Sequence, residues 1–365
     1  MTTCRRRKAH CWPRSLSGSA DQGLRLPPYE SSAETRVVHP PFPAEFVRSL
    51  PKAELHVHLE GTVDAETVLA LCERHGIEPP AADVPGLEVA GVDTYRYDNF
   101  DDFLVRYFAV LDVLRTPDDF TLIAERYLQR AHAQGVVHVE LHVSACGHIV
   151  ENGRAWAPIH EAIVAGCRAA ERATGISWGL IPDISPHLGA DACDLAFDEV
   201  LTGSLDGIVA IGMGAPADNW LDQDFGRIFD KAAAAGLHRV SHAGEHGGAW
   251  EVRHAIERFG AERIQHGIGA IGDPSVVELL VERGVACDVC PGSNLALRAV
   301  PDAASHPLRR MLAAGITVTL GSDDPPMFQT SLLDEYRRAW EWCELDRAGI
   351  AQLAANSLQA SFRRG

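Results

Sequence analysis

From Leu50 to the C-terminus, eight short β-rich runs alternate with Ala-, Leu- and Glu-rich segments of helical period. The runs are ELHVHLEG (54–61), VVHVELHV (136–143), ISWGLIPDI (176–184), GIVAIGMG (207–214), HRVSHAGE (238–245), RIQHGIGA (263–270), VACDVCPGSN (285–294) and TVTLGSDD (317–324). Strands joined through helices pair in parallel, because the helix carries the chain back to the same starting end. Eight such units predict an α/β fold of the TIM (β/α)8 barrel type, which reaches this length as a single domain. A doubly wound open sheet is the competitor, but no Gly-rich dinucleotide fingerprint follows the first strand. With 46% hydrophobic residues, the chain has ample apolar material for such a core.

The long interval lies between the first and second runs. Residues 64–134 contain three helical patterns: DAETVLALCERHG, NFDDFLVRYFAVLDVLR and PDDFTLIAERYLQRAHAQG. Helices inserted after a barrel strand sit over its C-terminal mouth, so this segment is expected to form a cap. Residues 1–45 differ in character. MTTCRRRKAHCWPRSLSGSADQG is Arg- and Ser-rich and aperiodic, and it leads into HPPFP. This stretch reads as a disordered leader rather than a basic binding arm, leaving 46–365 as one domain.

Several function classes are disfavoured. A formal charge of -17 repels phosphate backbones, so a nucleic-acid partner is not expected. No apolar run approaches the roughly 18 residues of a membrane helix, so no membrane partner is expected either. The basic N-terminus is not followed by an apolar core and does not read as a secretory signal. Nine scattered cysteines, an odd number, suit reduced thiols in a cytoplasmic protein. The oligomeric state is left open.

The first run carries two histidines. Side chains two apart on a strand share a face, so His56 and His58 project together. Near the strand's C-terminal end they point into the barrel mouth. A lone histidine there is more often a satisfied core residue. A pair at this spacing suits two ligands of one metal ion, since neutral imidazole is a preferred Zn²⁺ donor. Other strand ends add to the pattern: SHAGE with His242 and Glu245, QHG with His266, and GSDDPP with Asp323 and Asp324. Barrel strand ends converge on one mouth, and ionisable groups at four of them are costly to place without a purpose. HVE (138–140) and CDVCPG (287–292) superficially suggest the HxE and PCxxC signature of one class of zinc enzymes. The two pieces lie far apart, however, and the proline follows the second cysteine. Cys287 and Cys290 read as buried structural thiols.

HVHLEGT, SHAGE, QHG and SDDP, in this order on successive strand ends, resemble the adenosine deaminase family of the amidohydrolase superfamily. The resemblance runs from about Leu50 to the C-terminus, where NSLQASF (356–362) is similar to the family's closing helix. It implies one Zn²⁺ ion held by His56, His58, His242 and Asp323. It implies that Glu245 protonates N1 of a purine, that His266 orients and helps deprotonate the attacking water, and that Asp324 holds N7. His58, Glu60 and Gly61 would lie beside the purine or its ribose. The family's binuclear relatives bridge two metals with a carboxylated lysine at a strand end. This chain has only Lys8, Lys52 and Lys231, none so placed, which favours a single ion.

The implied activity is hydrolytic deamination of a small-molecule 6-aminopurine. Adenosine or deoxyadenosine leads, with adenine and 6-aminodeoxyfutalosine as alternatives. A reading of another class is an inactive barrel that binds a purine nucleoside. One departure stands out in IGMGAPADNW (211–220). Ala215 falls where the family places a glycine whose backbone N–H meets purine N3, and the following Pro216 has no N–H to give. CPGSN is similar to a family motif on the seventh strand, which would bring Ser293 and Asn294 to the pocket.

Overall fold

Strand β1 (Lys52–His58) is followed round one sheet, in chain order, by β2 (Val136–Val143), β3 (Ser177–Ile184), β4 (Ala210–Met213), β5 (His238–Ala243), β6 (Arg263–His266), β7 (Ala286–Val289) and β8 (Val318–Leu320). This computed structural model describes residues 40–79, 100–214, 221 and 223–363. All seven neighbouring pairs are parallel. The seam closes through residues just beyond β8: His58 N–H donates to the Asp323 carbonyl at 3.0 Å, and Asp323 N–H to the His56 carbonyl at 3.1 Å. With helices in every crossover, the fold is the expected (β/α)8 barrel. Four strands, β4, β6, β7 and β8, are much shorter than their β-rich runs suggest. Gly207, at φ 75°, turns the chain before β4. After β8, residues 321–324 leave the ladder for the mouth.

A β-bulge sets which residues of β1 face inward. Glu54 lies opposite Val139, but Val57 lies opposite Leu141, so three steps on β1 match two on β2. One extra residue reverses the alternation. Glu54 therefore faces the helix Pro117–Ala133, accepting from the Tyr127 hydroxyl at 2.6 Å and the Ser322 hydroxyl at 2.6 Å. His56 and His58 face the barrel axis. Strict alternation would have put Glu54 with them.

All three helical patterns of the insertion form helices. Ala65–His75 starts on Asp64, whose side chain accepts from Thr67 N–H, and ends on Gly76 in the left-handed region. Phe100–Val113 lies over the mouth, with its Tyr107 ring edge-on to His58 at 6.4 Å between centroids. Pro117–Ala133 buries Phe120, Ile123, Ala124, Tyr127, Leu128 and Ala131 at helical spacing. It is the outer crossover helix into β2 rather than part of a cap. Residues 80–99 of the insertion, and 1–39 of the expected leader, lie outside the described residues. Residues 40–45, assigned to the leader by sequence, are docked: Trp340 Nε1 donates to the Pro40 carbonyl at 2.9 Å, and Phe42 packs on the Trp340 ring.

The base of the barrel is held by charge. The Arg263 guanidinium pairs with Glu140 at 2.6 Å and Asp288 at 2.5 Å, all three fully buried. The C-terminal helix Arg347–Ala360 closes that end. Ser357 accepts from Ala53 N–H on β1, and Asn356 donates to the Val318 carbonyl on β8, so one helix spans the seam. Arg263→Ala would leave two carboxylates buried without a counter-ion. It is expected to cost about 3–5 kcal/mol of stability, read as a fall in the urea midpoint at unchanged slope. A midpoint equal to wild type would remove the network from the account of stability. No helix of the described residues is long and apolar enough to cross a membrane.

Candidate active site

Four side chains from three places in the fold meet at the mouth: His56 and His58 from β1, His242 from β5 and Asp323 beyond β8. Their donor atoms all lie within 4.8 Å of one another. His242 Nε2 stands 3.1 Å from His56 Nε2 and 3.2 Å from His58 Nε2. Asp323 Oδ1 is 3.5 Å and 3.3 Å from the same two β1 nitrogens.

The tautomers make this cluster unusual. His56 Nδ1 donates to the Asp288 carbonyl at 3.0 Å, and His242 Nδ1 donates to the Met213 carbonyl at 2.7 Å. Each ring therefore turns a bare Nε2 lone pair toward the other, at a distance where neither has a proton to share. Burial, reinforced by neighbouring imidazoles, holds both rings far below the ordinary histidine range and so neutral. At His58 burial also opposes charge, yet Asp324, Asp323 and Asp183 outweigh it and push its pKa up to about 10. Converging lone pairs among carboxylates form a place for a cation. Tetrahedral zinc at 2.0–2.1 Å from nitrogen would set its donors about 3.3–3.4 Å apart, close to the four separations given above.

Two residues here adopt backbone conformations that side-chain-bearing residues seldom use: Asp323 at φ 62° and His266 at φ 61°. Such strain collects at functional sites because the surroundings must impose it. For Asp323 the imposing bonds are those of the seam. The next residue, Asp324, is buried with Oδ1 lacking a partner, and burial and the Asp323 charge hold its carboxyl well above the usual range. Any Cβ on Gly61 would fall 1.6 Å from that oxygen. Gly61 is thus the room that Asp324 needs.

Glu245 stands across from the cluster, with Oε2 3.5 Å from His266 Nε2. Burial first, then repulsion from Asp323, raise its carboxyl well above the ordinary range. A chain of hydrogen bonds orients His266. Leu308 N–H donates to His306 Nδ1, His306 Nε2 to Asn294 Oδ1, and Asn294 Nδ2 to His266 Nδ1 at 3.1 Å. That leaves the Nε2–H of neutral His266 facing Glu245 and Asp323.

The adenosine deaminase family model matches residues 51–364, nearly the whole length. The chain belongs to the adenosine deaminase family. An adenine deaminase from Rhodospirillum rubrum is 36% identical over 317 residues, covering 87% of this chain and 93% of that one. An aminodeoxyfutalosine deaminase from Streptomyces coelicolor is 36% identical over 353 residues, covering 94% and 88%. Among solved structures, an adenine deaminase from Arthrobacter aurescens superposes with a TM-score of 0.80 at 36% identity, covering 86% and 94%. An amidohydrolase from Burkholderia ambifaria with bound zinc superposes with a TM-score of 0.77 at 27% identity, covering 90% and 91%. The chain is therefore a deaminase hydrolase of the amidohydrolase superfamily.

In this deaminase the Glu60 carboxyl is held by residues beyond β2 and by Tyr107. Its Oε1 accepts from Ser144 N–H at 3.1 Å and His148 Nε2 at 2.7 Å, and its Oε2 faces the Tyr107 hydroxyl at 3.5 Å. Tyr107 itself bonds Ser144 Oγ at 2.8 Å, and Phe103 beside it packs on Phe328. Ala215 and Pro216 lie outside the described residues. Lys52 plugs the base of β1, donating to the Val47 and Gln134 carbonyls, and Lys231 pairs with Asp194 and Asp198 on the outside. Neither described lysine reaches the mouth.

Sequence reasoning missed His142 and Asp183. The signal was present: Asp183 sits at the C-terminal end of β3, and His142 at that of β2, which is the same criterion that found His242. Cys287 and Cys290 are buried as expected, but Cys290 Sγ also lies 3.2 Å from His56 Nδ1. The seven described cysteines are all unpaired thiols.

Proposed function

We propose that this deaminase hydrolytically removes the 6-amino group of an adenine ring, using one Zn²⁺ bound by His56, His58, His242 and Asp323. The observation that carries this reading is the pair of anchored imidazoles whose lone pairs face one another beside Asp323, with the buried Glu245 carboxyl beside His266. The ion these residues would hold would supply a nucleophilic water at neutral pH by bringing its pKa down to about 7. Carbon 6 of the purine is a poor electrophile until a ring nitrogen is protonated. Glu245, whose pKa burial raises, donates that proton to N1. His266 orients the water from its fixed tautomer, and the carboxyl of Asp324 donates to N7. Oxygen adds at C6, the C6–N bond breaks, and the amino group leaves as ammonia. The products are the 6-oxopurine and ammonia.

Adenine takes first place among substrates, ahead of adenosine. Three of the four relatives quoted are named as adenine or aminodeoxyfutalosine deaminases. The aminodeoxyfutalosine relative matches 94% of the chain, which makes its substrate the second reading. The test is ammonia release by the zinc-loaded full chain. Adenine is expected to show kcat/KM at least about tenfold above adenosine, the scale of one misplaced buried hydrogen bond. Faster turnover of adenosine would reverse the order. Full zinc occupancy without turnover of any aminopurine would favour the inactive binding barrel.

A further inference from the structure

We propose that Asp183 is the positioning residue for the metal ligand His58, and that Gly212 is glycine in order to admit it. The inference rests on the metal reading above and adds to it a residue on β3. His56 and His242 have their Nδ1 atoms fixed by backbone carbonyls. His58 differs: its Nδ1 faces Asp183 Oδ2 at 3.6 Å, an ion-pair distance. The carboxylate is itself held on its other side. His142 Nδ1 lies 3.0 and 3.1 Å from its two oxygens, and His142 is fully buried.

Gly212 supplies the independent observation. It sits in the middle of β4, paired with Asp183 across the ladder. Its φ does not lie in the left-handed region, so the backbone there does not call for glycine. A glycine inside a strand weakens it and marks a close approach. The approaching group is Asp183: a Cβ at position 212 would fall 1.9 Å from its Oδ1. The strand gives up a side chain so that a carboxylate from the next strand can reach the ligand. A carboxylate on the far nitrogen of a ligating imidazole fixes the tautomer, aims the lone pair and raises its basicity.

The test is zinc affinity of the full chain, measured by competition with a chromogenic chelator, alongside the melting temperature of the zinc-free protein. Asp183→Ala is expected to bind zinc about 10–100-fold more weakly with little change in zinc-free melting. Gly212→Ala is expected to reproduce the loss with every ligand in place, because it pushes the carboxylate aside. The double variant should bind no more weakly than Asp183→Ala alone, since the two changes remove one interaction. Should Asp183→Ala fail to fold, Asp183→Asn carries the measurement, with a smaller loss because one acceptor oxygen remains. Wild-type affinity in the Asp183 and Gly212 variants would overturn the proposal while leaving the metal reading intact. Two zinc ions per wild-type chain, one of them lost on replacing Asp183, would also overturn it, because His58, His142 and Asp183 have donors close enough to be ligands. A wild-type chain that takes up no zinc would overturn the metal reading itself, and this inference with it.

Discussion

Glu245→Gln is expected to bind zinc like wild type and to lose deamination by about 10²–10⁴-fold, the usual worth of a positioned general acid. The substitution keeps the shape and can still accept from Asn294, which stands 3.5 Å from Oε1. It removes only the transferable proton. The pH profile gives a second reading of the same group. Burial and the Asp323 charge raise the Glu245 pKa, so its acid form persists to higher pH than in an ordinary glutamate. Wild-type kcat/KM should therefore fall as pH rises through that raised value, and the variant should lack this descending limb. Measuring ammonia release against pH for both proteins decides the matter. A variant with a substantial fraction of wild-type turnover would remove Glu245 from the proton-donor role.

His242→Ala is expected to abolish turnover through a different route, loss of the ion. A four-ligand zinc site is worth roughly 10–16 kcal/mol in all, so one donor carries on the order of 3–4 kcal/mol, or about 10²–10³ in affinity. The remaining His56 and His58 would still face Asp323, but the donor set would fall to three. Elemental analysis after dialysis should find wild type loaded and the variant largely bare. Chelation of wild type should silence it, with activity returning on adding zinc. Near-full occupancy in the variant would contradict its role as ligand, and turnover that survives chelation would contradict the metal reading altogether. The two experiments separate cleanly, because one leaves zinc and removes a proton while the other does the reverse.

Local rules account for what was legible in the residues alone. Alternation at period two joins His56 to His58, and strand ends of a parallel barrel share one mouth, so His242, Glu245, His266, Asp323 and Asp324 could be gathered without coordinates. The eight β-rich runs and three inserted helical patterns follow from periodicity in the same way. Other features depend on partners far along the chain. The resemblance implies Glu60 as a substrate contact, and its Oε1 is held by His148, 88 positions away, a partner that only loop packing after β2 could decide. The helix Pro117–Ala133 has the same amphipathic pattern whether it caps the mouth or covers the outer wall. Its assignment to the wall comes from the burial of Tyr127 against Glu54.

The chain's own pattern thus determined the barrel, the mouth at which its chemistry sits and the set of ionisable residues gathered there, because these follow from side-chain period and strand order; which of them would be metal donors came from the family resemblance. Tertiary structure alone decided which way each group faces. The bulge that turns Glu54 outward, the carbonyls that set the tautomers of His56 and His242, and the glycine gap that lets Asp183 approach His58 are contacts between segments distant in sequence. Hydrogen bonds and steric exclusion act over a few ångströms in space, and no spacing along the chain encodes that distance.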